Sequence, residues 1–125
     1  MSNYQDLDIY KISLSLFYEV HSASLRLPKY ELYELGSQIR RSSDSVNSNI
    51  VEGYGRSRYK NDFIRFLVFS HSSCLETKGH LIKINHLYNG LIPEIERFII
   101  DYDNLGAKIF NFIKYVEQNW KTSNN

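Results

Sequence analysis

Between residues 60 and 88, apolar and small side chains recur in steps of four and three: Phe63, Leu67, Ser70, Cys74, Thr77, Leu81, Ile84 and Tyr88. That alternation holds one stripe of an α-helix on one side along its whole length. A strand would alternate every second residue and would end far sooner. A helix with a single apolar stripe cannot bury it alone, so the chain must fold as helix packed against helix.

Three more segments keep the rhythm. Ile9, Ile12, Leu16, Val20, Ala23 and Leu27 line the first, which Pro28 stops, because the residue before a proline is driven out of the helical region. Leu32, Leu35, Ile39, Val46 and Ile50 line the second, expected from Glu31 to Glu52, with Gly53 and Gly55 ending it as left-handed caps. After the third, "NGLIP" breaks the chain and Pro93 suits the first turn of a fourth helix. That last helix carries Ile95, Phe98, Tyr102, Leu105, Ile109, Phe112 and Val116, and the tail from Lys121 is polar. Short connections and heptad seams predict an all-α fold, an antiparallel up-down-up-down four-helix bundle, as a single domain over residues 1–125.

Composition narrows the function. Hydrophobic residues make up 42% and charged residues 23%, ordinary globular material, and the formal net charge is only +1. The single cysteine, Cys74, allows no internal disulfide and fits a reducing compartment. The start, MSNYQDLD, has neither a basic nor an apolar leader region, and no apolar run approaches a membrane span. A cytoplasmic protein with no membrane partner is expected.

The residues offer little catalytic chemistry. Di-iron bundles need Glu-x-x-His on two helices, whereas Glu76 and His80 stand four apart with no second copy. His71 and Cys74 could form a thiolate–imidazole pair, but Cys74 holds a core heptad position, where a thiol acts as a small hydrophobe. "GYGRSRYK" lacks the lysine-serine pairing of a phosphate loop and follows a helix rather than a strand. The expectation is a protein that is not an enzyme, with no cofactor, metal or small-molecule substrate.

One stretch is unusual. Between residues 40 and 65, six basic residues (Arg40, Arg41, Arg56, Arg58, Lys60 and Arg65) face only Asp44, Glu52 and Asp62, a local net charge of +3. Tyr54 and Tyr59 lie among them, where their rings could stack on bases. The same stretch replaces the usual Leu and Ala of a helix with Ser42, Ser43, Ser45, Asn47, Ser48 and Asn49, which permit close helix approach. Expected ion pairs are Arg40 with Asp44, Glu52 with Arg56 across the turn, and Arg40 with Glu76 once the hairpin folds back.

"QIRRSSDSVNSNIVEGYGR" followed by "FLVFSHSSCLET" resembles the signature of the bacterial four-helix bundle proteins often encoded within intervening sequences of large-subunit ribosomal RNA genes. These are similar to the accessory variability proteins of diversity-generating retroelements. Gln38, Arg40, Arg41, Ser45, Asn49, Glu52, Gly53, Gly55, Arg56 and Glu76 fall in the family's order and spacing, while Ser70, Ser72 and Ser73 stand where it usually has an alanine and a Gly-Ser. The resemblance implies a compact bundle assembled into a ring, a pentamer, with no established enzymatic activity. It also implies nucleic acid and a reverse transcriptase as partners of the retroelement relatives, which are basic where this chain is near neutral.

Two functional readings follow. One is a nucleic-acid-binding adaptor, RNA or DNA, acting through the six basic residues, with ring assembly multiplying a weak patch. The other is a self-assembling scaffold or protein-interaction module without a nucleic acid partner. Either way a homo-oligomer is expected, because helix three carries a second apolar line. Ile64, Val68, His71, Leu75 and Ile82 lie roughly 110–150° from the core seam at about 100° per residue. Helix one repeats the feature with Leu7, Tyr10, Leu14, His21 and Leu25. Two such lines make too large a patch for a monomer surface.

Overall fold

The computed structural model describes residues 3–121. Four long helices account for most of them: α1 (Asp8–Ser24), α2 (Leu35–Gly55), α3 (Lys60–Leu87) and α4 (Ile95–Asn119). Short 3-10 turns at Tyr4–Asp6 and Lys29–Glu31 precede α1 and α2, and no strand occurs among the described residues. Partners across each seam run in opposite number order. Ser13 meets Asn47 while Ser24 meets Arg40. Ser70 meets Val46 while Thr77 meets Ser42. His71 meets Phe110 while Lys78 meets Asp103. Neighbours are therefore antiparallel, and the molecule is the four-helix bundle that the heptad spacing predicts.

The core is the set of inward heptad positions. Val46, Ile50, Phe63, Leu67, Leu105, Ile109 and Val116 are fully buried, and Phe98 and Tyr102 nearly so. At the end where the α2–α3 turn lies, Phe63 meets Tyr54, Phe112 and Trp120 edge-on, with centroids 6.1, 5.9 and 5.0 Å away. Such contacts add about 0.5–1.5 kcal/mol each beyond the area they bury.

The serines and asparagines of α2 form a polar seam. A buried hydroxyl is costly unless it is hydrogen-bonded, and each of these has a partner. Ser70 donates to the Val46 carbonyl at 2.6 Å, Ser73 bonds Ser45 at 3.1 Å, and the Thr77 and Ser42 hydroxyls lie 2.9 Å apart. On the other side of α2, Asn47 donates to Ser13 Oγ at 3.1 Å. Small side chains let the backbones approach, and their hydroxyls set the register.

Several boundaries differ from the sequence expectation. Helix α2 starts at Leu35 rather than Glu31, because Lys29–Glu31 makes a separate 3-10 turn. Glu31 is buried there; one carboxylate oxygen accepts from the Leu35 amide at 3.3 Å and the other from the Tyr88 hydroxyl. Gly53 does not cap α2 but lies inside it. A Cβ there would stand 3.1 Å from Phe66 Cβ and 3.3 Å from Phe63 Cδ1, so the glycine marks the close crossing of α2 and α3. Gly55 is the last residue of α2 and has no positive φ; among the described residues only Gly90, in the α3–α4 turn, has one, at 83°. Pro93 precedes α4 rather than standing in its first turn.

The outer line expected on α1 is also corrected. Leu7 is buried in the core, and Tyr10 packs against it half-buried. Leu7 stands before the helix in an extended conformation (φ −73°, ψ 131°), so stepping 100° per residue back from α1 misplaces it. Leu14 is half-buried, and of that line His21 and Leu25 are exposed.

Candidate nucleic-acid interface and assembly face

The six basic residues separate into groups. Arg40 is half-buried and structural: Nη1 donates to Ser24 Oγ at 2.9 Å and Nη2 to the Leu32 carbonyl at 2.6 Å. Ser24 passes the link on to the His21 carbonyl at 2.7 Å. One guanidinium thus ties the end of α1 and the α1–α2 connection to the second turn of α2. Its five donors in a rigid fork suit that task. The expected Arg40–Glu76 and Arg40–Asp44 pairs do not form; Glu76 instead lies 3.3 Å from His80 Nε2.

Arg56 is exposed but engaged. Its Nε bonds Glu52 at 2.8 Å, the pair anticipated across the turn, and Asp62 lies 4.0 Å away. Its guanidinium also covers the Phe66 ring at 4.9 Å. Arg41, Arg58 and Arg65 are exposed, and among the described residues none has a carboxylate partner. Lys60 opens α3 half-buried. The turn is held in place from just beyond α4, where the Trp120 indole donates to the Ser57 carbonyl at 2.9 Å.

Of the two tyrosines, Tyr54 turns inward against Phe63, while Tyr59 is exposed with Arg58 over its ring at 5.7 Å. Two aromatic residues escaped the sequence reading. Phe66 and Phe69 lie edge-on at 5.5 Å on the surface of α3, and Arg65 lies over both rings, at 5.5 and 5.6 Å. The signal was present in "FIRFLVF", since residues 62, 66, 69 and 73 share one helical line beside Arg65.

On the opposite flank of α3, Val68, Leu75 and Ile82 are 47, 58 and 50% exposed, whereas Ile64 and His71 are half-buried. Phe110 of α4 extends this apolar line, 51% exposed with its ring 6.2 Å from His71. Between the two helices lies a shallow hollow of about 270 Å³ over Gly106, walled by His71, Leu75 and Phe110.

Cys74 sits at the floor of that hollow. Its thiol donates to the Tyr102 carbonyl at 3.2 Å, and burial, with Asp103 nearby, pushes its pKa up to about 12. A thiol so held stays protonated and is a poor nucleophile, and the His71 ring lies tilted against Phe110. Among the described residues no three His, Cys, Asp or Glu side chains are grouped to hold a metal ion, and no helix is long and apolar enough to cross a membrane.

No curated protein matches the chain. Among protein families, the one described as 23S rRNA-intervening sequence protein matches residues 5–111, which span all four helices down to the middle of α4. It is not a family of known enzymes. The match covers most of the chain and agrees with both the four-helix architecture and the signature along α2 and α3, so the chain belongs to the 23S rRNA-intervening sequence protein family.

Proposed function

We propose that this chain is a non-enzymatic, self-assembling bundle that binds nucleic acid through the α2–α3 edge. The carrying observation is that Arg41, Arg58 and Arg65 stand exposed among the described residues without carboxylate partners, Arg58 over the exposed ring of Tyr59 and Arg65 over that of Phe69. Unpaired guanidiniums are available to phosphate oxygens, and phosphate contacts supply most non-specific affinity. Three contacts per chain make a weak site. Assembly into a ring, a pentamer by the resemblance, would raise it through avidity without any new contact. The apolar flank of α3, with Phe110, is the face proposed to join copies.

Fluorescence anisotropy with a labelled RNA or DNA over a salt series tests the reading. Three phosphate contacts give a log–log slope of about −2 to −3 per engaged chain. Arg58→Glu with Arg65→Glu should abolish binding and leave the fold intact. Arg56 is the poorer probe, because reversing it also breaks its bond to Glu52. The alternative, a scaffold with no nucleic acid partner, draws on the same apolar flank. An intact oligomer that retains neither RNA nor DNA at low salt would favour it.

A further inference from the structure

We infer that Tyr59, at the start of α3, together with Phe66 and Phe69 on α3, forms a stacking platform for unpaired bases, so that the nucleic acid bound at this edge is single-stranded. The inference rests on the nucleic-acid reading above and specifies its ligand.

Phe66, half-buried, and Phe69 share one line of α3, and Tyr59 stands just before the helix in an extended conformation (φ −112°, ψ 105°), about 15 Å from Phe69 along the axis at 1.5 Å per residue. Tyr59 and Phe69 are 41 and 42% exposed, although two large rings buried against the core would gain more from the hydrophobic effect. Guanidiniums interleave with them: Arg58 over Tyr59, Arg56 and Arg65 over Phe66, Arg65 over Phe69. Each cation over a ring is attracted by its quadrupole, so ring and guanidinium hold one another on the surface. Guanidinium planes and aromatic faces are the two side-chain surfaces on which unstacked bases rest. Arg58 and Arg65 have no carboxylate partner among the described residues, so the same groups can reach phosphates on either side of a seated base. Asp62, one turn before Phe66, lies 4.0 Å from Arg56, which it shares with Glu52.

A duplex cannot use this surface. Its base faces are already covered by neighbouring pairs, and exposing one costs unpairing and unstacking. It can meet the edge only through phosphates, which Arg41, Arg58 and Arg65 would hold equally well in either form. The rings therefore discriminate by strandedness and not by sequence, since every base presents a π-face.

The test uses the full chain with three labelled probes of one length: oligothymidylate, a fully abasic strand and a duplex. Anisotropy at fixed salt should show oligothymidylate bound at least about tenfold tighter than the abasic strand, which carries the same phosphates without bases. Phe69→Leu with Tyr59→Leu keeps part of the apolar volume and removes the π-faces. That variant should lose about tenfold on oligothymidylate and nothing on the abasic strand. Equal affinity of the parent for oligothymidylate and abasic strand overturns the platform while leaving phosphate binding standing. So does a double variant that binds oligothymidylate as the parent does. Absence of binding to all three probes overturns both the platform and the nucleic-acid reading. The comparison of probes on the parent chain decides the matter even where a substitution perturbs the fold.

Discussion

Arg40 and Arg41 are adjacent and chemically identical, yet the bundle gives them opposite work. Arg40 points into the junction of α1, α2 and their connection, where two hydrogen bonds from its guanidinium join three chain segments. Gly36 leaves room at this junction, since a Cβ there would stand 2.7 Å from the Glu31 carbonyl oxygen and 3.0 Å from Arg40 Nη1. Arg41, one step of about 100° further on, faces solvent. Arg40→Met keeps much of the apolar stem but removes the donors. It should cost about 1–3 kcal/mol, because Ser24 and the Leu32 carbonyl lose a charged partner at a half-buried site. Chemical denaturation should show that loss, while nucleic-acid affinity changes little. Arg41→Glu should do the reverse. An unchanged denaturation midpoint for Arg40→Met would mean that the junction does not depend on the guanidinium.

At the scale of elements, the α2–α3 hairpin is specified by its small residues. Gly53 sets the closest approach, with Phe66 Cβ and the Phe63 carbonyl oxygen 3.1 and 3.3 Å from where a Cβ would stand. Gly79, in the same helix as those phenylalanines, has nothing within 4 Å. Alanine gains helix propensity over glycine at both positions, by about 0.5–1 kcal/mol. Gly79→Ala should therefore stabilise by that amount. Gly53→Ala should instead destabilise by about 1–3 kcal/mol, because the helices must separate or the rings must shift. Paired thermal melts read the contrast directly, and equal shifts of the same sign would show that the crossing is not tight. The end of the bundle away from the α2–α3 turn is tied by polar contacts instead. Arg26, just beyond α1, forms a two-pronged bond with Glu94 at 2.9 Å, which holds that carboxyl at a pKa of about 2, well below its ordinary 4.5. A depressed carboxyl adds stability that is full above about pH 4.5 and is lost as the pH falls through about 2. The contribution is small because both groups meet solvent.

For the whole molecule, a net charge of +1 hides an uneven surface. One flank of α3 carries rings and cations, and the other carries Val68, Leu75 and Ile82 with Phe110 beside them. Exposed apolar residues are normal singly, but an aligned set beside a walled hollow invites a second copy. Light scattering at neutral pH should give an oligomer, and Val68→Asp with Leu75→Asp should reduce it to a monomer that keeps its helical content. A parent that is monomeric at tens of micromolar, or a double variant of unchanged mass, removes this face as the contact. The same variant should weaken binding to long nucleic acids far more than to short ones, because only assembly lets several patches act on one strand.

The sequence by itself determined the helices, their antiparallel order and most of the core. Those depend on apolar spacing and on breakers such as Pro28 and the "NGLIP" turn, which act locally. It also carried the family signature and the Glu52–Arg56 pair, whose partners stand four residues apart at the end of α2. What depends on contacts between distant segments was left to the tertiary structure. Whether Gly53 is a cap or a crossing point is decided by Phe66, thirteen residues away on another helix. Arg40 was drawn to Ser24 and Leu32 rather than to Glu76, because the junction presents oxygen acceptors nearer to it than any carboxylate on α3. Leu7 entered the core through a turn that helical periodicity does not describe. The rings of Phe66 and Phe69 read as ordinary helix residues until the fold turned their line outward beside Arg56 and Arg65. Periodicity says which residues share a face of a helix; only packing says which face the neighbours leave open.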